Sequence, residues 1–192
     1  MTSQATDSAT AIYDQIFQDY RKGVRPVKNS SQATLVTFEI EYLTILGMNG
    51  AQESIEVHID YEMTWIDEHL TWHPSDFADP VKSLVVPQSD IWQPDITLYE
   101  LLESAPLIPE EKMKARVDFD GRVTVYNPQI MTLSCKMKID LFPFDSQKCR
   151  MAFGPWVYQQ NEVAIEESNS TIADMTMWTR RRGKHAKDGF AE

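Results

Sequence analysis

Residues 54–65 read SIEVHIDYEMTW. Ile55, Val57, Ile59, Tyr61, Met63 and Trp65 alternate with Ser54, Glu56, His58, Asp60, Glu62 and Thr64. A period of two is the signature of a strand with one buried and one solvated face, and Asp60 and Glu62 fall on the solvated one. Upstream, from Thr34, the same period predicts a long half-buried strand with Val36, Phe38, Ile40, Tyr42 and Leu46 on one face and Thr37, Glu39 and Glu41 on the other. Downstream it returns at Val117 to Val125 around Asp120-Gly121, a hairpin-turn pair, and at Met131, Leu133, Cys135, Met137, Ile139 and Leu141.

Before these strands the period is helical. Ile12, Ile16, Phe17 and Tyr20 share one face of a segment from Ser8 to Tyr20, with Asp7 or Ser8 as N-cap and Gly23 to Pro26 ending the run. One helix at about 8–20, then strands joined by Pro- and Asp-rich loops over about 34–192, predicts a mainly β, antiparallel sandwich in a single domain. Repeats, low-complexity tracts and dividing linkers are not evident.

The 192 residues are long enough for a full core, and 42% hydrophobic with 24% charged residues is a globular composition. The net charge of −11 disfavours nucleic acid and anionic membrane surfaces. Charge is uneven, since Arg180, Arg181, Arg182, Lys184 and Lys187 crowd one end and leave residues 1–179 with a net −14 that would attract cations. No apolar run approaches the roughly 18 to 20 residues of a membrane span, and MTSQATDSAT lacks the basic flank and apolar stretch of a secretory signal. The segment reads as cytosolic, or as a mature or excised piece with a start Met. Sequons at Asn29-Ser30-Ser31 and Asn169-Ser170-Thr171 are potential glycosylation sites that fit secretion.

Two cysteines, Cys135 and Cys149, are fewer than a cytosolic zinc site uses, and by count alone they are either a disulfide or two buried thiols. His69 and His73 stand at i, i+4 beside Asp67 and Glu68, but a metal site there would need a helix where the neighbours alternate as strand. Nucleophile-elbow, P-loop and His-Glu-x-x-His motifs are absent from the sequence, which argues against an enzyme.

The stretch between the cysteines, KMKIDLFPFDSQK, resembles the signature loop of the Cys-loop receptors, the pentameric ligand-gated ion channels, in its 13-residue spacing and its Phe142-Pro143-Phe144-Asp145 core. WIDEHLTW (65–72), IWQPDITLY (91–99) and FGPW (153–156) are similar to three further blocks of that family, in the family's order. The resemblance spans about residues 8–166, and within the family it is nearest to nicotinic acetylcholine receptors and the soluble acetylcholine-binding proteins. It implies an immunoglobulin-like sandwich behind one helix, a Cys135–Cys149 disulfide, no catalytic residues and no cofactor. It also implies assembly with identical or homologous subunits into a ring of five, with a small cationic ligand held between neighbours.

On the principal face the resemblance places Tyr99 and Trp156 in an aromatic cage, where ring faces hold an organic cation. Strand alternation, rather than the motif, puts Tyr158 on the same side as Trp156 and at the rim of the cage. Trp65, Trp72 and Trp92 fall in blocks that the family uses for packing. The complementary face falls on Asp60, Glu62, Arg116, Thr124 and Tyr126, with a carboxylate, Asp60, where the family carries an aromatic ring. An Arg116 beside a cation is unfavourable unless Asp60 or Glu62 neutralises it. Phe142 to Asp145 form the loop that contacts the membrane domain in receptors.

The family's C-terminal capping loop, with its adjacent cysteines, has no counterpart. Either the chain stops at the ninth strand near 188–192, or 175–182 is the end of a tenth strand with the cap deleted, so the last strands are incomplete. An excised receptor domain, attached to a cell-surface membrane through transmembrane spans beyond this segment, and a free secreted binder both fit. Either is extracellular.

Overall fold

The computed structural model describes residues 7–138, 144–167 and 178–179. Helix α1 runs Ser8–Phe17 and buries Ile12 and Ile16, one turn apart on a single face. It stops three residues short of the expected end at Tyr20. Past Gln18 the chain turns, with the Tyr20 amide on the Phe17 carbonyl at 3.3 Å, and the Tyr20 phenol goes inward to bond the fully buried Asp67. That tertiary bond decides the boundary. Asp7 is the N-cap residue by position only and makes no side-chain cap bond.

Among the described residues ten strands follow: β1 (Thr34–Asn49), β2 (Ser54–Ile66), β3 (Ser83–Pro87), β4 (Ile96–Leu98), β5 (Leu101–Pro106), β6 (Lys114–Asp118), β7 (Arg122–Ser134), β8 (Ala152–Pro155), β9 (Val163–Glu167) and β10 (Trp178–Thr179). The larger sheet has the order β3-β6-β7-β2-β1-β9, with β5 also paired to β7, and the smaller has the order β10-β8-β4. The pairings are antiparallel except β1 with β9 and β8 with β10, which are parallel. The sheets meet where Phe153 of β8 packs on Phe38 of β1 at 4.6 Å and Tyr61 of β2 at 6.1 Å, ring centroid to centroid. Burial pushes the Tyr61 phenol up to about 12, against the hydrogen bond that Gln129 Nε2 donates to it at 2.8 Å.

Strand β2 follows its alternation: all six apolar residues from Ile55 to Trp65 are buried. Strand β1 does so only as far as Ile40. Opposite Tyr61 the strand places both Ile40 and Glu41 before pairing resumes at Tyr42 with Asp60, a β-bulge that reverses the faces. Tyr42 and Leu46, expected in the core, are therefore half exposed, and the Tyr42 ring meets His58 edge-on at 5.0 Å.

Of the hairpin expected at 117–125, Val117 lies in β6, which ends at Asp118, while 122–125 and the start of the run expected at 131–141 share one long strand, β7, which reaches Ser134. Pro128 survives in its middle because the outer neighbour changes there, from β6 up to Val125 to β5 from Gln129, so no N–H is required at that point. Ile139 and Leu141 lie outside the described residues. The Asp120-Gly121 turn joins β6 to β7 as expected, with Gly121 at φ +87°. Trp65, Trp72 and Trp92 are core residues, at most 4% exposed. Cys135 and Cys149 form a disulfide with Cα atoms 5.0 Å apart. Among the described residues no helix is long and apolar enough to cross a membrane.

Candidate functional site

The small sheet assembles the principal-face residues. Antiparallel pairing of Ile96 with Pro155, Thr97 with Gly154 and Leu98 with Phe153 puts the end of β4 beside the end of β8. Tyr99 follows β4, bonds the Ala152 carbonyl through its amide at 2.9 Å and donates its phenol to the Pro155 carbonyl at 3.2 Å. Trp156 follows β8. The two rings lie 6.2 Å apart at 42°, and Trp156 is 69% exposed. An indole left this open, next to a tyrosine face, offers a π surface to a cation from solvent.

Asp95, just before β4, fixes the Trp156 loop. Its carbonyl accepts the Trp156 amide at 3.1 Å, and its Oδ2 accepts the amides of Val157 at 2.6 Å and Tyr158 at 3.3 Å. The far end of the loop is tied at Glu162, whose carbonyl accepts from Thr34 N at 2.8 Å and from Arg25 Nη1 at 2.7 Å. Neither Asp95 nor Arg25 is among the expected site residues. Asp95 stands inside the block quoted at 91–99, yet its partners are 62 and 63 positions away, and spacing within the block carries no sign of them.

Tyr158 departs from its expected place. The strand whose alternation would align it with Trp156 ends at Pro155. Tyr158 turns into the core instead, where its ring sits 6.1 Å from Trp92 and its hydroxyl accepts the Trp92 indole N–H at 3.3 Å.

The complementary-face residues lie on the larger sheet. Cross-strand register aligns Arg116 with Thr124 and Thr64, Tyr126 with Glu62 and Glu39, and Asp60 with Tyr42 and Pro128. Thr64 donates to Glu62 Oε1 at 2.9 Å and lies 3.3 Å, oxygen to oxygen, from Thr124. The hydrogen bond to Glu62 and partial burial hold the Tyr126 phenol above its ordinary range. Burial, then the charges of Glu39, Glu62 and Asp60, raise the Glu41 carboxyl. Asp60 Oδ1 is buried with no hydrogen-bond partner among the described residues. Arg116 donates to Ser83 Oγ at 3.0 Å, and among the described residues it forms no direct ion pair with Asp60 or Glu62. This face and the Trp156 face belong to different sheets.

In the loop closed by the disulfide, Phe142 and Pro143 lie outside the described residues. Phe144 is 90% exposed. Asp145 accepts from Gln147, whose amide group also bonds both the N–H and the C=O of Lys138 at 2.8 Å. Asn29 is exposed in a turn, its Oδ1 accepting the Ser31 amide at 3.0 Å, and Asn169 lies outside the described residues. The stretches 175–177, 180–182 and 188–192, on which the two readings of the C-terminus rest, also lie outside them. Residues 67–73 form a turn and extended chain rather than a helix, so His69 and His73 do not share a helical face.

Residues 9–185 match the family model for the neurotransmitter-gated ion-channel ligand binding domain. The chain is 30% identical over 176 residues to the neuronal acetylcholine receptor subunit alpha-3 of Bos taurus, covering 92% of the chain and 35% of that protein. It is 31% identical over 165 residues to the acetylcholine receptor subunit alpha-1-A of Xenopus laevis, covering 86% and 36%. It is also 31% identical over 176 residues to the neuronal acetylcholine receptor subunit alpha-6 of Mus musculus, covering 92% and 35%. The chain thus spans about a third of the length of these curated relatives, which are receptor subunits and not enzymes. The matched range, residues 9–185, includes both cysteines of the disulfide and the candidate-site residues, and the chain belongs to the neurotransmitter-gated ion-channel ligand-binding-domain family.

Proposed function

We propose that residues 1–192 are the single extracellular ligand-binding domain of a receptor subunit that assembles with identical or homologous subunits into a pentamer and takes a small organic cation, such as acetylcholine, at the interface. The observation that carries this reading is the open Trp156 indole beside Tyr99, in a loop held by Asp95, whose carbonyl accepts the Trp156 amide and whose carboxylate accepts the amides of Val157 and Tyr158. A cation would stack on Trp156 and Tyr99 of one subunit while Asp60 and Glu62 of the next supply negative charge. The acidic surface, net −11, favours approach of such a ligand. Closed cyclic symmetry uses each of the two unlike faces once per subunit.

The relatives' additional length is where a channel-forming, membrane-attached portion would lie. The exposed Phe144 in the disulfide loop, with Phe142, Pro143 and Asp145, suits a contact that passes binding on to that portion as gating. Asn29, exposed in its turn, suits glycosylation. Titration calorimetry of the assembled protein with acetylcholine tests the reading: binding that is lost in Trp156→Ala is expected. Binding of an anionic amino acid in place of acetylcholine would overturn it.

A further inference from the structure

Gly154 is buried in β8, directly across from Thr97 of β4. Its backbone is not left-handed, so conformation alone does not call for glycine here. Space does. A Cβ at this position would overlap Tyr99 Oη and lie 2.9 Å from Cζ and 3.2 Å from Cε2 of the same ring. Gly23 and Gly50, by contrast, have no atom near the corresponding point. The Tyr99 ring is rigid, so it cannot yield by flexing at its tip. It would have to leave β8 as a unit, breaking the bond from its phenol to the Pro155 carbonyl and changing its 6.2 Å spacing from Trp156.

We infer that Gly154 is a specificity-determining residue: by carrying no side chain it lets Tyr99 lie flat on β8, and this sets the room beside Trp156 for an ammonium head group. The inference rests on the proposed cation-binding reading. It predicts that the effect of Gly154→Ala is transmitted entirely through Tyr99.

The test is calorimetry on the full-length assembled protein with tetramethylammonium and tetraethylammonium, for the wild type, Gly154→Ala, Tyr99→Ala and the double variant. In Gly154→Ala, tetramethylammonium should bind about tenfold more weakly, the size of losing one cation–π partner, and the ratio of the two affinities should change. Adding Gly154→Ala to Tyr99→Ala should change either affinity by less than about twofold, because non-additivity is the mark of residues in contact. The double variant also has room for the new methyl group, so it should regain the melting temperature of Tyr99→Ala even where Gly154→Ala alone unfolds. If Gly154→Ala is equally harmful with and without Tyr99, or leaves the size ratio unchanged, the inference is overturned while the binding site stands. A wild type that binds neither ammonium ion overturns the cation-binding reading and the inference with it.

Discussion

Tyr20 donates a 2.6 Å hydrogen bond to Oδ2 of Asp67, a residue with no solvent exposure. The same phenol oxygen accepts the Trp92 amide at 2.9 Å, and Asp67 Oδ1 accepts the His69 amide at 3.0 Å. One buried carboxylate and one phenol thereby join the segment after α1, the turn after β2 and the approach to β4. Three residues beyond Trp92 stands Asp95, which holds the Trp156 loop, so the network that ends the helix also seats the candidate site.

Tyr20→Phe should therefore destabilise the fold in a pH-dependent way. Burial raises the Asp67 carboxyl above its usual range, and the bonds from Tyr20 and His69 act against that rise. A carboxyl that is more protonated when folded than when unfolded makes stability fall as pH climbs from the ordinary carboxylate range through the raised value. Without the Tyr20 hydroxyl the carboxyl rises further, which extends that fall to higher pH. Urea unfolding should show a loss of about 1.5 to 3 kcal/mol at pH 7, typical of a hydrogen bond to a charged group, and a smaller one at pH 4. Equal losses at both pH values would contradict the assignment.

Gly121→Ala should weaken the β6–β7 hairpin. The residue sits at φ +87°, and a Cβ would overlap the Asp67 carbonyl oxygen and approach Thr71 Cγ2 to 3.1 Å. The Gly121 carbonyl also accepts the Asp67 amide at 2.8 Å, so the hairpin cannot shift without disturbing the Asp67 turn. A loss of about 1 to 3 kcal/mol is expected for such a strained position, read as a lowered melting temperature. An unchanged melting temperature would show that the turn relaxes freely.

The strands were legible where one face meets the core, as in β2, whose six apolar residues from Ile55 to Trp65 are all buried, because burial imposes the period directly on residue choice. The bulge in β1 was not. Nothing in Ile40-Glu41-Tyr42 differs from continued alternation, and the extra residue is fixed by pairing with β2. For the candidate site, the family blocks pointed to Tyr99 and Trp156, and the fold sets their rings 6.2 Å apart. The contacts of Asp95 and Gly154 were not legible, because they arise only when β4 and β8 lie side by side. Tyr158 misled for the same reason: its direction is set by Trp92, not by the strand before it.

Asp95→Ala should release the Trp156 loop without unfolding the sandwich. It removes the acceptor for the amides of Val157 and Tyr158 and leaves the backbone bond from Trp156 to the carbonyl of residue 95 in place. Ligand affinity should fall by about tenfold or more, while global stability drops by only about 1 to 3 kcal/mol, the cost of leaving such donors unsatisfied. Hydrogen exchange should locate the change, with faster exchange at Val157 and Tyr158 and ordinary protection in β2. Full protection of both amides would show that another acceptor holds the loop.

Trp156 gives the sharpest contrast between binding and packing. At 69% exposed it contributes little buried area, so Trp156→Ala should leave stability within about 0.5 kcal/mol, as for surface positions generally. Trp92, at 3% exposed and packed edge-on against Trp65 at 5.9 Å, should lose about 3 to 5 kcal/mol on the same substitution. For binding the order reverses. Calorimetry with acetylcholine should find no binding to Trp156→Ala, while Trp156→Phe keeps a weaker π face and loses about 1 to 2 kcal/mol, in the range of a cation–π contact. Trp156→Phe binding as poorly as the alanine variant would mean that the indole N–H, rather than the ring face, makes the contact. Normal binding by Trp156→Ala would remove Trp156 from the site and leave its exposure unexplained.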